Sequence, residues 1–376
     1  MYLLLVTMAS YAIDTYGAST GLAGLVASIF IIGVLFGRLY AGRQIGNSGA
    51  KKMLIIGISI FIILSFFYYL NLNIYFLIAV RFIQGIGVGF ATTATGTIIA
   101  QVIPPSRNGE GIGYFSMSNV LATAIGPLIG VSLINVFDYA SIFIFSTSVS
   151  IVSLLLVHTI KVPKIPSNHA TANKAGMFKI SDFFEKNAIP ISVTVLVAAL
   201  AYSGILSFIT TYANEIKLPE AGGYYFLVYA IIVLLSRPIT GKLMDLKGAN
   251  SVAYPALVLF AIGMVIISQA VSGFVLLLGA VFVGLGYGNF QSCTQAIAIK
   301  VTPLHRMGLA NSTYFIFLDL ALGLGPLVLG LLIPYIGFRS MYLLLSIIVI
   351  LSLFVYFVLH GKKDKKLLQQ NNENIA

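Results

Sequence analysis

Arg81 and Gln84 stand three residues apart inside an apolar run, 74–102, and so share one face of a helix. A guanidinium several residues inside such a run costs a few kcal/mol and must meet a partner or water. Charged side chains in that setting mark ion and proton pathways; the competing account is a structural arginine reaching the nearer interface with its long stem. Asp319, in Phe315-Ile316-Phe317-Leu318-Asp319-Leu320, is the clearest acid within a run, where a carboxyl could load and release a proton. Its competing account is an Asp satisfied by the Ser312 or Thr313 hydroxyl. Arg38 and Arg237 sit at equivalent places near one end of runs 21–43 and 221–243; their duplication favours a bundle-packing role, set against the bland reading of snorkelling to the interface. Glu110 opens run 110–135, where an acid favours a helix N-terminus.

No other constellation carries chemistry. The chain has no nucleophile–His–acid set and no paired carboxylates, so no enzyme activity is expected. Its four histidines, His158, His169, His305 and His360, fall at run ends and form no metal-ligand set. The single Cys293 excludes an intrachain disulfide, and no Gly-x-x-x-x-Gly-Lys-Ser/Thr loop is present. The expectation is therefore no metal and no cofactor.

The elements that must position these residues follow from composition. Of 376 residues, 59% are hydrophobic and 9% charged, against roughly 25% charged in a soluble domain. That excludes a soluble enzyme, a disordered chain and a collagen-like one. The apolar stretches run about 20 residues without the period-2 alternation of barrel strands, so they read as membrane-crossing helices. Eleven are expected, at 21–43, 53–70, 74–102, 110–135, 140–161, 187–212, 221–243, 251–270, 273–300, 308–335 and 339–360. Residues 1–13 are apolar but too few to span, and lack the basic start and small-residue cleavage site of a signal peptide.

When the connections are assigned alternately to two sides, one side collects 17 of the 22 Lys and Arg, and the other holds Lys217 and Arg339. The positive-inside rule makes the crowded side cytoplasmic, with the tail 361–376. The net charge of +11 then reports topology rather than a nucleic-acid partner. Segment 162–186, polar and Lys-rich with Pro163 and Pro166, reads as a cytosolic linker between bundles 1–161 and 187–360.

The two halves superpose in sequence at a constant offset of 199. Arg38 meets Arg237, Gly42 meets Gly241, Arg43 meets Lys242 and Gly49 meets Gly248. Gly85, Gly87 and Gly89 meet Gly284, Gly286 and Gly288; Pro104, Arg107 and Gly109 meet Pro303, Arg306 and Gly308; Gly126-Pro127 meets Gly325-Pro326. Both copies start on the same side, which makes the repeat parallel, with its axis along the membrane normal. The paired glycine runs lie inside spans and read as close helix packing rather than a dinucleotide loop.

Three of these motifs resemble the major facilitator superfamily, and within it the twelve-helix drug:proton antiporter-like exporters, over essentially the whole chain. Gly42-Arg43-Gln44-Ile45-Gly46-Asn47-Ser48-Gly49-Ala50-Lys51-Lys52 is similar to the family's loop signature. Arg81-Phe82-Ile83-Gln84-Gly85 is similar to its Arg-x-x-Gln-Gly motif. Gly113 through Gly126-Pro127 to Gly130 is similar to its antiporter motif, with Ala122 and Val131 where glycine is common. The resemblance implies that an acid in the loop signature latches one helix bundle. The second copy has it, Gly241-Lys242-Leu243-Met244-Asp245 followed by Gly248; the first has Gly46 in that place and Ala50 where a basic residue is usual. It implies a proton-coupling role for Arg81, with Gln84 beside it. It also implies that the first, fourth, seventh and tenth helices line a cavity, which nominates Tyr202, Asn289, Gln291, Gln295 and Thr92 as substrate-binding residues.

The expected fold is thus all-α and polytopic: a major facilitator fold of two pseudo-symmetric six-helix bundles, its first helix apparently truncated. The expected function is proton-coupled efflux of a small amphipathic or organic compound by alternating access, from a monomer in the plasma membrane lipid bilayer. Nutrient symport, and a non-transporting membrane protein because helix one is incomplete, are the alternatives.

Overall fold

A computed structural model describes residues 2–160, 162 and 183–362; most of the expected linker and tail lies outside the described residues. Among these every regular element is helical. In order they are α1 (Tyr2–Tyr16), α2 (Thr20–Ser48), α3 (Ala50–Phe67), α4 (Ile74–Val102), α5 (Asn108–Val136), α6 (Tyr139–Thr159), α7 (Ile189–Glu215), α8 (Pro219–Lys247), α9 (Asn250–Ser268), α10 (Gly273–Val283), α11 (Asn289–Lys300) and α12 (Met307–Tyr356). A π-helical turn, Gly284–Gly288, joins α10 to α11, and α12 breaks at Gly337 (φ 72°) into two runs. All eleven expected runs are present, and residues 2–13 form most of α1.

The chain divides into two compact units. One comprises Met1–Val102, Leu121–Glu185 and Thr302–Ile316; the other comprises Ile103–Val120, Lys186–Val301 and Phe317–Ala376. The start of α5 therefore groups with the later half of the sequence, and the start of α12 with the earlier half.

In the first unit α1 is no loose appendage. Leu4, Met8 and Tyr11 are buried with Phe30 and Val34 of α2, Phe61 and Leu64 of α3, Leu77 of α4 and Phe143 of α6. Tyr11 also donates a hydrogen bond to Asn71 Oδ1. Glycine sets how closely α2 and α4 approach: a Cβ on Gly33 would strike Phe82 O, and one on Gly85 would strike Phe30 O. The same exchange recurs a turn later between Gly37 and Ile86 O, and between Gly89 and Val34 O. The expectation of close helix packing thus holds for the first glycine run. Large apolar side chains that remain exposed, among them Phe36, Leu155, Leu235, Ile239 and Ile347, suit contact with acyl chains. Among the described residues nine helices are long and apolar enough to cross a membrane.

The loops differ from expectation. Segment 44–52 is almost wholly helical, because α2 runs to Ser48 and α3 begins at Ala50. The chain turns on Gly49 alone (φ 81°, ψ 145°), a backbone region that only glycine occupies without strain. Gly248 (φ 87°, ψ 168°) does the same after α8. Gly49→Ala and Gly248→Ala should each cost about 1–3 kcal/mol, read as lowered thermal stability of the detergent-solubilised protein; Gly223→Ala, where a Cβ meets open space, serves as the control.

Candidate functional site

The charged residues of the spans are held by neutral partners. Arg81 of α4 is fully buried, which removes the snorkelling alternative. Its Nε donates to Val26 O (3.3 Å), its Nη1 donates to Gln84 Oε1 (3.4 Å), and its guanidinium lies 4.4 Å from the Phe30 ring centroid. Tyr68 Oη also donates to Gln84 Oε1, and Gln84 Nε2 donates to Ser65 Oγ (3.2 Å). Arg81 Nη2 is buried with no hydrogen-bond partner, and no carboxylate contacts this arginine among the described residues. The result is a cation embedded between α2, α3 and α4, shielded by a π face and a hydrogen-bonded amide. Sequence spacing gave Arg81 and Gln84; Tyr68 and Ser65, from another helix, had no sequence signal.

Arg38 and Arg237 do not snorkel either. Both are buried, at 5% and 1% exposure, because each lies under the start of a helix from the opposite half of the sequence. In the first unit the Arg38 guanidinium stands 4.5 Å from the Phe315 ring, and Ser312 Oγ donates to Arg38 O (2.7 Å). In the second unit Arg237 Nη1 donates to Ser116 Oγ and Nη2 donates to Gly288 O (2.6 Å). Ser116 and Phe315 are themselves a repeat pair at offset 199. Two further amides fasten the same helix starts: Asn108 Nδ2 donates to Ala296 O, and Asn311 Nδ2 donates to Thr93 O, each at 3.3 Å.

The loop signatures sit beside these crossings. A Cβ on Gly42 would come 2.6 Å from Ser312 Cβ, and one on Gly241 would come 2.8 Å from Glu110 Cα. In the second unit the Asp245 carboxylate caps α5, accepting from Gly109 N (2.7 Å) and Glu110 N (2.9 Å). An anion at an N-terminus satisfies otherwise orphaned N–H groups and meets the positive end of the helix dipole. Glu110 is itself paired with Arg107, Oε2 to Nη2 2.7 Å. Arg43 is exposed, its guanidinium 5.3 Å from the Phe183 ring.

The proposed proline and glycine contacts are partly resolved. Gly130 abuts α1, a Cβ there lying 3.0 Å from Thr7 Cγ2, and Gly325 abuts Ser203 of α7. Gly126 and Pro127 continue α5, and Pro326 continues α12 without ending it.

The nominated substrate residues belong to both units. In the second unit Tyr202 stacks on Tyr287 (4.0 Å between centroids), which the π-turn presents, and lies 5.8 Å from Tyr229. Asn289 donates to Ser236 Oγ (2.9 Å) and accepts from Thr240 Oγ1 (2.8 Å), beside the Gly288 carbonyl that holds Arg237. Gln295 is buried and Gln291 half-buried on the same helix. Thr92 belongs to the first unit, and its hydroxyl bonds Val88 O of its own helix (2.8 Å). Asp319 is half-buried in the second unit. The hydroxyls expected to satisfy it are engaged elsewhere, Ser312 with Arg38 O and Thr313 with Leu309 O.

Repeated sets of long apolar helices with charged side chains buried among them define a polytopic membrane protein. The Major Facilitator Superfamily model matches residues 1–326 and 248–374, and the chain belongs to that family. It is 25% identical to the MFS-type transporter MJ1560 of Methanocaldococcus jannaschii, over 89% of this chain and 88% of that one. It is 23% identical to the staphylopine export protein of Staphylococcus aureus, over 91% and 88%. The fold is similar to that of the fucose:proton symporter of Escherichia coli (TM-score 0.70, 17% identity, 95% of each chain). The protein is thus a multi-pass membrane protein built for secondary transport of a small molecule.

Asp245→Ala removes both cap acceptors and should cost about 1–2 kcal/mol, seen as a lowered thermal midpoint in detergent. Asp245→Asn, which keeps one acceptor oxygen, should lose less.

Proposed function

We propose that the protein is a proton-coupled exporter of a small amphipathic or organic compound, working by alternating access of bundles 1–161 and 187–360. The basic loops and the tail 361–376 face the cytoplasm in this reading. The observation that carries it is the buried Arg81, a permanent cation within a span with no carboxylate against it among the described residues. A charge buried in this way favours whichever arrangement brings negative charge or water to it, so its environment couples ion movement to conformation. Asp319 is the half-buried span carboxylate that can take up and release the proton. Tyr202, Asn289, Gln291 and Gln295 are the proposed polar and aromatic substrate contacts of the second unit, and Thr92 is the one proposed in the first. Export, rather than uptake, is supported by the Gly130 packing on α1 within an antiporter-like segment and by the staphylopine exporter among the relatives.

The test is transport in inverted membrane vesicles acidified inside, against a panel of fluorescent amphiphiles and organic metabolites. Accumulation of a compound that collapses with the proton gradient is the expected result. Arg81→Gln and Asp319→Asn should each abolish gradient-driven accumulation while leaving the protein in the membrane. Undiminished transport in both variants would remove them as coupling residues, and gradient-driven movement in the opposite direction would make the protein a symporter.

A further inference from the structure

The second unit fastens the start of α5 with two acids, Asp245 on the helix N-terminus and Glu110 on Arg107. At offset 199 the first unit should fasten the start of α12 in the same way, yet its counterparts are Gly46 and Leu309. Arg306, the counterpart of Arg107, is present. The first unit would therefore hold a cation and a helix N-terminus with neither repeat acid. In their place stands the end of the interbundle segment. Glu185 is 4% exposed and its carboxylate is ion-paired with Arg306 Nε. Its backbone N donates to Thr313 Oγ1 (2.9 Å), and two residues earlier Phe183 lies under the Arg43 guanidinium. A carboxylate buried to that degree on an otherwise polar, Lys-rich connection is costly unless paired. The end of the expected free linker is a docked strap.

We propose that Glu185 is a positioning residue of the transport cycle: paired with Arg306, it supplies from the linker an acid at the start of α12, where the repeat counterparts of Asp245 and Glu110 are missing, and it latches that helix start within the first unit. The proposal rests on the transporter reading for its role in a cycle, but the latch itself has a readout that needs no transport. The strap makes the first unit's fastening depend on a covalent connection to α7, which begins at Ile189. In the second unit the acid on the N-terminus of α5, Asp245, belongs to α8 of the same unit. One latch is built in, and the other is carried on a tether.

Gly46 offers the decisive control. A Cβ there would have one neighbour within 4 Å, His305 O at 3.8 Å, so an Asp fits and would face the start of α12 as Asp245 faces α5. Thr97, fully buried and 3.5 Å from a Cβ placed on Gly308, is covered by that helix start. In a Cys293→Ser background, Thr97→Cys reports latch opening by its alkylation rate with a water-soluble maleimide on the purified full chain. Glu185→Gln should accelerate labelling at least about fivefold, the lower range for coupling between two states, and Arg306→Gln should do likewise. Adding Gly46→Asp to Glu185→Gln should return the rate to that of the parent. An unchanged rate in a monodisperse Glu185→Gln protein, or no slowing on adding Gly46→Asp, overturns the proposal. If Glu185→Gln does not purify, Gly46→Asp alone carries the test: slower labelling than the parent supports the latch, and an equal rate refutes it.

Discussion

A guanidinium cannot shed its proton, so an arginine inside a hydrophobic slab forces its surroundings to supply hydrogen-bond acceptors and π faces. This chain places three there, and each draws different elements together. Arg81 ties α4 to the Val26 carbonyl and Phe30 ring of α2. Arg38 lies against Phe315 of α12, and Arg237 reaches Ser116 of α5 and the carbonyl of Gly288. Residues separated by 51 to 277 positions in sequence become neighbours around these charges. The glycine faces serve the same end, since backbone carbonyls become useful to an arginine only when helices approach closely.

The ends of the helices obey a related constraint. An N-terminus exposes unpaired N–H groups; Asp245 accepts from two of them at α5, whereas at the start of α12 Glu185 pairs with the Arg306 side chain. Asp245 comes from the duplicated loop; Glu185 comes from a segment outside the repeat. The two halves share one repeated scaffold but fasten these helix starts with different parts.

Much of this was legible in the sequence because hydrocarbon imposes length and composition directly. The eleven runs, the offset of 199 and the loop-signature asymmetry at Gly46 could all be read from residue types. The close packing at Gly85 and Gly89 follows equally from small residues repeated in a span. What spacing could not reveal was which partner each polar group would find. Tyr68 and Ser65 meet Gln84 from a neighbouring helix, and Ser312 turns from Asp319 to the Arg38 carbonyl. Hydropathy also placed Arg38 and Arg237 at an interface, when helices crossing over them exclude it. The burial of Glu185 was hidden for the opposite reason, its polar neighbours making the whole segment look like free linker.

The π-turn at Gly284–Gly288 bears on how the two halves diverged. Its twin at Gly85–Gly89 is ordinary α-helix, yet the offset is 199 both before and after it, so no residue was gained or lost. Wider winding over the same number of residues rotates everything that follows about the helix axis. The residues that follow the turn also differ in type, since Asn289, Gln291 and Gln295 stand at the offset of 199 from Phe90, Thr92 and Gly96. Two copies of one helix can in this way keep their length, their ends and their connecting turns while differing in how the chain is wound between them.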